Sequence, residues 1–371
     1  MNNPERILLV QLFSNGDCLY ATAVARQIKQ DHPGCHLTWA IAAYCRAILL
    51  NNPYIDETMV IPDVNHNNWK QHRKDFQRRL KQFKKEGRFD RIIRTQIIDS
   101  NLANYDYCIR SAIFRGYGRP VTVPVQPVMR LTREELEKTD RFAAEHALSG
   151  YRQVILVEFS PRSGQANFTA AMAIAMAERL THDPAIAVVL SSNIKLEASR
   201  PSIIDGSALS LRETACLSKY CTLLVGCSSG TTWATTSDAG RRLPMVQILD
   251  PNAYWLNSVV NDHLRFGLPV DEIIEMTDSS EEKIDLCIRA ILEKGFPSAR
   301  VLYHTPLPIQ FRMTRGILAY LLGKGDIAGA FRHIVINLRI FGWKPGLLRS
   351  IALGIATFPV VNLLNKRKER N

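Results

Sequence analysis

ILLVQLFSNGDCLYATAVARQIKQDHPGCHLTWAI, residues 7–41, decides the fold class. Ile7 to Leu12 is a short apolar run suited to a strand buried on both faces. Phe13-Ser-Asn-Gly-Asp17 is a turn. Cys18 to Gln30 then carries Leu19, Ala23 and Ile28 at helical spacing and stops before Asp31-His-Pro-Gly34. His36 to Ile41 is a second apolar run. Strand, glycine turn, helix and strand make a βαβ unit, whose crossover is right-handed. Ala42–Asn51 is expected to continue as a helix and Glu57–Ile61 as a strand.

The same pattern returns near residue 151. Gln153–Glu158, Ala185–Leu190, Thr222–Gly226 and Met245–Leu249 read as strands. Thr169–Leu180, Ser210–Ser218 and a segment running through Ala239 read as helices between them. Thr132-Arg-Glu-Glu135 is an N-terminal capping pattern for an earlier helix. The chain has 371 residues, too many for one ordinary domain. The expected α/β architecture is two Rossmann-like domains facing a cleft, residues 1–148 and 149–299. A basic, apolar, helical extension over 300–371 follows.

The net charge of +12 is unevenly placed. Residues 66–94 hold 11 Lys/Arg against 3 Asp/Glu, and residues 300–371 hold 12 against 2. The remainder is mildly acidic, which excludes a uniformly basic, histone-like chain. Trp69, Phe76, Leu80 and Phe83 lie on one helical face of the first basic stretch, with Lys and Arg on the others. None of the eight cysteines has CxxC spacing and no histidine cluster adjoins them, so neither a zinc site nor a thioredoxin-like motif is expected. Residues 1–17 lack a basic n-region and a long apolar core, so no signal peptide is expected, and no apolar run reaches membrane-spanning length. The cysteine usage suits a reducing compartment.

Three strand-to-helix turns stand out: Ser14-Asn-Gly-Asp17, Ser160-Pro-Arg-Ser-Gly164 and Ser228-Ser-Gly-Thr-Thr232. In an open parallel sheet such turns lie at the carboxyl ends of strands, where ligands bind, and helix N-termini there suit phosphate. The plainer alternative is that each is only a helix cap. No G-x-G-x-x-G, no G-x-x-x-x-G-K-[ST] and no G-x-S-x-G occurs, which argues against nicotinamide or flavin enzymes, P-loop ATPases and α/β-hydrolases.

The order Ile7-Leu-Leu-Val10, Ser14-Asn-Gly-Asp17, His32-Pro-Gly34 and Asn51-Asn-Pro-Tyr-Ile-Asp56 resembles the start of glycosyltransferase family 9, the lipopolysaccharide heptosyltransferases. Arg88-Phe-Asp90 through Gln96 and Ser111 to Arg115-Gly-Tyr-Gly118 is similar to the family's next strand, loop and helix. Leu209–Thr214 through Gly226 with Ser229-Gly230 looks like its donor loop and preceding helix. The resemblance spans roughly residues 5–295. It implies the GT-B fold and inverting, metal-independent transfer of a sugar from a nucleotide-diphosphate donor to a lipid-linked saccharide, with no cofactor. It also implies roles. Asp17 matches the family's catalytic Asp, where inversion needs a general base for the acceptor hydroxyl; the alternative is a first-turn acid complementing the helix dipole. Ser160, Arg162, Ser163, Gln165, Ser228, Ser229, Gly230, Thr231 and Thr232 fall on the donor and phosphate side. Ser14, Asn15, Gly16 and Gln96 fall on the acceptor side, with Arg94 a further pocket residue.

The chain departs from the family at the donor side. Ser228 stands for its Asp and Trp233 for its His, and its lysine is absent unless Arg162 substitutes. Trp233 is read as packing or as a stacking platform, and Glu158 as structural or as a second acid. Expected partners are a nucleotide sugar, a lipid-linked saccharide and an anionic membrane surface, with no nucleic acid, for which no recognition motif exists. The expected site is the cytoplasmic face of the inner membrane. The extension reads either as interfacial helices or as a segment that packs back on the first domain. Two other functions compete: an epimerase-like sugar-nucleotide enzyme and a non-catalytic sugar-nucleotide binder.

Overall fold

A computed structural model of the chain describes residues 4–65, 68–161, 164–197, 199–253 and 255–368. Arg162 and Ser163 lie outside the described residues.

The first sheet holds β1 (Arg6–Val10), β2 (His36–Ala42), β3 (Glu57–Ile61) and β4 (Arg91–Arg94). All pair in parallel, in the order β3-β2-β1-β4. Apolar residues on both sides of β1 explain the two layers that cover it. Helix α1 (Asn15–Asp31) places Leu19, Ala23 and Ile28 with Ile7 and Leu9. Helix α2 (Trp69–Lys85) sets Trp69, Phe76, Leu80 and Phe83 on the opposite face, with Leu8 and Val10. Burying each such side chain is worth about 1.5–3 kcal/mol. The apolar stripe of α2 therefore faces the sheet, as its spacing requires. Helix α3 (Ile109–Gly116) packs beside α1. The segment expected as a helix over 42–51 is a 3-10 helix over Ala43–Leu49.

After α4 (Arg133–Glu145) comes the second sheet. It holds β5 (Gln153–Glu158), β6 (Ile186–Ser191), β7 (Ile203–Asp205), β8 (Leu223–Gly226), β9 (Met245–Ile248) and β10 (Ile273–Met276). The order is β10-β9-β8-β5-β6-β7, again all parallel. Between its strands lie α5 (Ala170–Leu180), α6 (Leu211–Leu217), α7 (Gly230–Thr235) and α8 (Val259–Arg265); α9 (Glu281–Lys294) and α10 (Phe296–Tyr303) follow. The strand order reverses between β1 and β4 in one sheet and between β5 and β8 in the other. Each reversal opens a crevice at the carboxyl ends of the strands.

The extension forms α11 (Arg312–Gly323), α12 (Ile327–Phe341) and α13 (Pro345–Lys368). It folds back on the first half. The Tyr107 and Thr314 hydroxyls are 2.9 Å apart, and Asn337 Nδ2 donates to the Tyr105 carbonyl at 3.2 Å. The rings of Phe311 and Phe341 lie 5.4 and 5.7 Å from that of Tyr107. Among the described residues no helix is long and apolar enough to cross a membrane.

Candidate functional site

The three turns singled out in the sequence share one backbone device. Ser14, Ser160 and Ser228 have φ of 72°, 49° and 53°. A left-handed serine costs on the order of 1 kcal/mol or more and persists only where surrounding bonds hold it. Each serine follows the carboxyl end of a strand, β1, β5 or β8, that borders a crevice.

Ser14-Asn-Gly-Asp17 carries the spacing of a capping box, yet no box forms. Thr132 with Glu135 and Ser210 with Glu213 both make the reciprocal pair of bonds. Ser14 instead receives α1 with its φ reversed, its hydroxyl caps no helix N–H, and its own N–H donates to the Tyr44 hydroxyl at 3.3 Å. The Asp17 carboxylate is thereby released from a capping role. Among the described residues no hydrogen bond reaches it. It remains part-exposed, and loss of solvent pushes its pKa up to about 7. The positive end of α1 favours the ionised form by only about 0.3–1 kcal/mol, too little to reverse that shift. A carboxylate that is unpartnered and titrates near neutrality is suited to taking a proton.

Gln96 lies at the opposite wall of the same crevice but does not face a ligand with its oxygen. Its Oε1 accepts from Gln11 Nε2 at 3.0 Å, from the Leu12 N–H at 3.0 Å and from the Phe13 N–H at 3.3 Å. Gln96 is 3% exposed and locks the strand end that launches the Asp17 turn. Buried between two strand ends, its oxygen is consumed by these internal donors. The chain then makes a π-helical turn over Ile97–Asn101. Arg94, half-buried at the end of β4, has its pKa lowered by desolvation, and no ion pair is described for it.

Asn15 and Gly16 sit at the seam between the halves. A Cβ on Gly16 would meet Trp233 Cδ1 at 3.1 Å, and one on Gly230 would meet Asn15 Cβ at 3.4 Å. The first turns of α1 and α7 therefore touch, and glycine permits the approach. Trp233 is 5% exposed, its ring 4.7 Å from that of Tyr20, and its Nε1 donates to the Ser228 carbonyl at 3.3 Å. It is a packing residue here.

The turn after β8 differs most from expectation. Glu158, at the end of β5, is 3% exposed and gathers its donors. Oε1 accepts from the Ser229 hydroxyl at 2.6 Å and from the N–H groups of Thr231 and Thr232 at 2.7 and 3.3 Å. Oε2 accepts from the Thr232 hydroxyl at 2.7 Å and from the N–H groups of Cys227 and Ser229 at 3.1 and 3.3 Å. Ser228 N–H donates to Gln247 Oε1 at 2.6 Å. The N–H groups of Ser228, Ser229, Thr231 and Thr232 and the hydroxyls of Ser229 and Thr232 are thus bound to internal acceptors, and a phosphate beside that carboxylate would meet like charge. Glu158 is a structural acid, not a second catalytic one. In the preceding turn Ser160 is exposed, whereas Gln165 is buried with Nε2 3.5 Å from the Ser228 carbonyl and an unpartnered Oε1.

Buried ion pairs fasten the halves together. Arg110 of α3 pairs with Asp262 of α8 at 3.0 Å, with its guanidinium 4.6 Å from the Tyr20 ring centre and 5.4 Å from those of Trp233 and Phe266. Arg212 of α6 grips Glu135 at 2.6 Å and the carbonyls of Ala47 and Leu50 at 3.2 and 3.3 Å. Sequence reasoning missed these residues; their partners are more than 75 residues away. All eight cysteines are unpaired and buried. Among the described residues no group of three or more His, Cys, Asp or Glu side chains could hold a metal.

No family model matches the chain, and no curated protein sequence does either. Among solved structures the chain is similar to a glycosyl transferase family 9 protein from Veillonella parvula DSM 2008, at 15% identity and a TM-score of 0.51. That match covers 82% of this chain and 95% of the other. It is also similar to ADP-heptose LPS heptosyltransferase II of E. coli, at 14% identity and a TM-score of 0.51, covering 78% of this chain and 99% of that one. Two parallel sheets joined across a crevice, together with these likenesses, define the GT-B class of fold. Within that class the chain shares its architecture with family 9 glycosyltransferases.

Proposed function

We propose that the chain is a glycosyltransferase that moves a sugar from a nucleoside-diphosphate sugar to a lipid-linked saccharide, with inversion and without a metal. The observation that carries this reading is the Asp17 carboxylate: released from capping, unpartnered among the described residues, and titrating near pH 7. In the proposed reaction it removes the proton of an acceptor hydroxyl as that oxygen attacks the anomeric carbon from the face opposite the leaving diphosphate. Charge growing on the diphosphate falls to the second half. There the turn at Ser160–Gln165, with Arg162 and Ser163 in its sequence, is the proposed donor wall. The acceptor enters along Ser14–Gly16. The basic regions suit an anionic lipid surface, which places the protein at the cytoplasmic face of the inner membrane in this reading.

The engagement of the turn after β8 by Glu158 favours a second reading, a sugar-nucleotide binder without turnover. One experiment separates the two. The protein is offered ADP-, GDP- and UDP-sugars with EDTA present, alone for thermal shift and together with a lipid-linked saccharide acceptor for nucleotide release. A shift with release that Asp17→Asn abolishes supports the transferase; a shift without release supports the binder. No shift with any donor removes both.

A further inference from the structure

The fold-back of α11–α13 leaves an outer surface that does not suit water. On α12, Ile327 and Phe331 are one turn apart and 72% and 68% exposed. Trp343, in the short link to α13, is 77% exposed. On α13, Leu348, Leu353 and Ile355 are 37%, 37% and 46% exposed, while Leu347 and Gly354 face inward, Gly354 against Leu318. Single exposed apolar residues are ordinary, but here six fall on the exposed sides of two consecutive helices and their link.

Its charges are of one sign. Arg332, Arg339, Lys344 and Arg349 are exposed, and no ion pair is described for any of them. Asp326, the one acid between residues 324 and 368, caps α12 by accepting from the Gly329 N–H at 2.8 Å. Apolar side chains interleaved with unpaired cations, and a tryptophan beside a lysine at a helix start, match the headgroup boundary of an anionic bilayer. A second copy of this chain fits poorly, because a two-fold interface would set these cations against each other.

We propose that the outer face of α12 and α13 is the surface by which this chain docks on an anionic lipid bilayer. The proposal rests on the reading of a lipid-linked acceptor and gives it a geometry. Through Asn337 and Tyr105, α12 abuts the segment that follows β4, so docking brings the bilayer beside the crevice of the first sheet.

The test is flotation of the full chain with vesicles of phosphatidylcholine alone or with 30 mol% phosphatidylglycerol, without saccharide or donor. Binding is expected only to the anionic vesicles, weakening from low to high salt. The pair Arg332→Glu and Lys344→Glu is expected to weaken binding by at least about 25-fold, at roughly fivefold per cation removed. The pair Phe331→Ser and Trp343→Ser should also release the protein, and brominated lipid should quench fluorescence of the parent more than that of Trp343→Phe. Unfolding profiles check that the variants stay folded. Equal binding by all variants, or absence of binding, overturns the proposal, as does a dimer in sedimentation that the serine pair abolishes without any vesicle binding. Vesicle failure with intact donor turnover leaves the transferase reading standing.

Discussion

Asp17→Asn tests the site on two independent axes, because one physical cause sets both. Burial raises the Asp17 pKa from an ordinary 3.8 to about 7. For activity, the base form is the ionised one. At pH 6 about a tenth of the protein carries it, and at pH 8 about nine-tenths. The kcat/KM of the proposed transfer is expected to rise about tenfold per pH unit up to about 7 and then level off. Asn cannot accept the proton, so turnover should fall by about 10²–10⁴ at pH 8. For stability the sign runs the other way. The folded pKa lies above the unfolded one, so the folded state binds the proton more tightly. Stability is full below pH 3.8 and is lost progressively as pH rises to about 7. A rise of about 3 units corresponds to about 4 kcal/mol at full desolvation, and partial solvent access reduces it to roughly 2 kcal/mol. Asn mimics the neutral acid, so the variant is expected to be more stable than the parent above pH 7, with the gap closing towards pH 4. Urea unfolding of both proteins at pH 5, 6, 7 and 8 measures the gap, and a pH profile of nucleotide release measures the limb. An acid limb centred near pH 4, or a stability difference that does not change with pH, would refute the account of Asp17.

Three further substitutions probe the frame around it. Glu158→Ala strips the acceptor from four N–H groups and two hydroxyls at the turn after β8, and a loss of about 3–5 kcal/mol is expected in urea unfolding. Asp262→Asn leaves the buried Arg110 guanidinium without its counter-charge and should cost about 3 kcal/mol, whereas Arg110→Met with Asp262→Leu should recover most of it by the same measurement. Gln96→Leu removes the acceptor for the Leu12 and Phe13 N–H groups; turnover is expected to fall at least about tenfold through displacement of the Asp17 turn, with the pH limb shifted, while donor binding by thermal shift is retained.

The sheets were legible where an apolar run is short, continuous and fenced by turn residues. Glu57–Ile61 and Gln153–Glu158 match the strands residue for residue, and the pattern at Thr132 forms its capping box. The edge strands of the second sheet were not legible: β7 has three residues and β10 is entered through Asp271 and Glu272, so neither shows a period. The helix expected to run through Ala239 ends at Thr235 for a local reason. The hydroxyls of Thr235, Thr236 and Ser237 each donate to the carbonyl three residues back and compete with the helical ladder. The turns of the site could be read from glycine and serine spacing. What fills them could not, because Glu158 lies about 70 residues from its donors and Gln96 about 85 from its own. The basic, apolar tail was visible as composition; that it packs inward through Asn337 and Thr314 depends on partners more than 200 residues away.

The two crevices are closed in the same manner but with different consequences. In each, a polar side chain on one strand end reaches across the reversal of strand order and binds the N–H groups of the neighbouring turn. In the first sheet that side chain is neutral: Gln96 satisfies Leu12 and Phe13, whereas Asp17, four residues further on, keeps its carboxylate unpartnered. In the second it is charged, and Glu158 consumes donors that an incoming diphosphate would otherwise use. A charge placed there repels a second anion, so under the proposed chemistry the leaving group must be held away from the turn after β8, nearer the Ser160–Gln165 turn. Trp233 packs on Tyr20 and against Gly16, so the first turn of α7 joins the two halves. The first crevice thus leaves the Asp17 carboxylate unpartnered among the described residues, while the turn after β8 is organised around the internal carboxylate of Glu158.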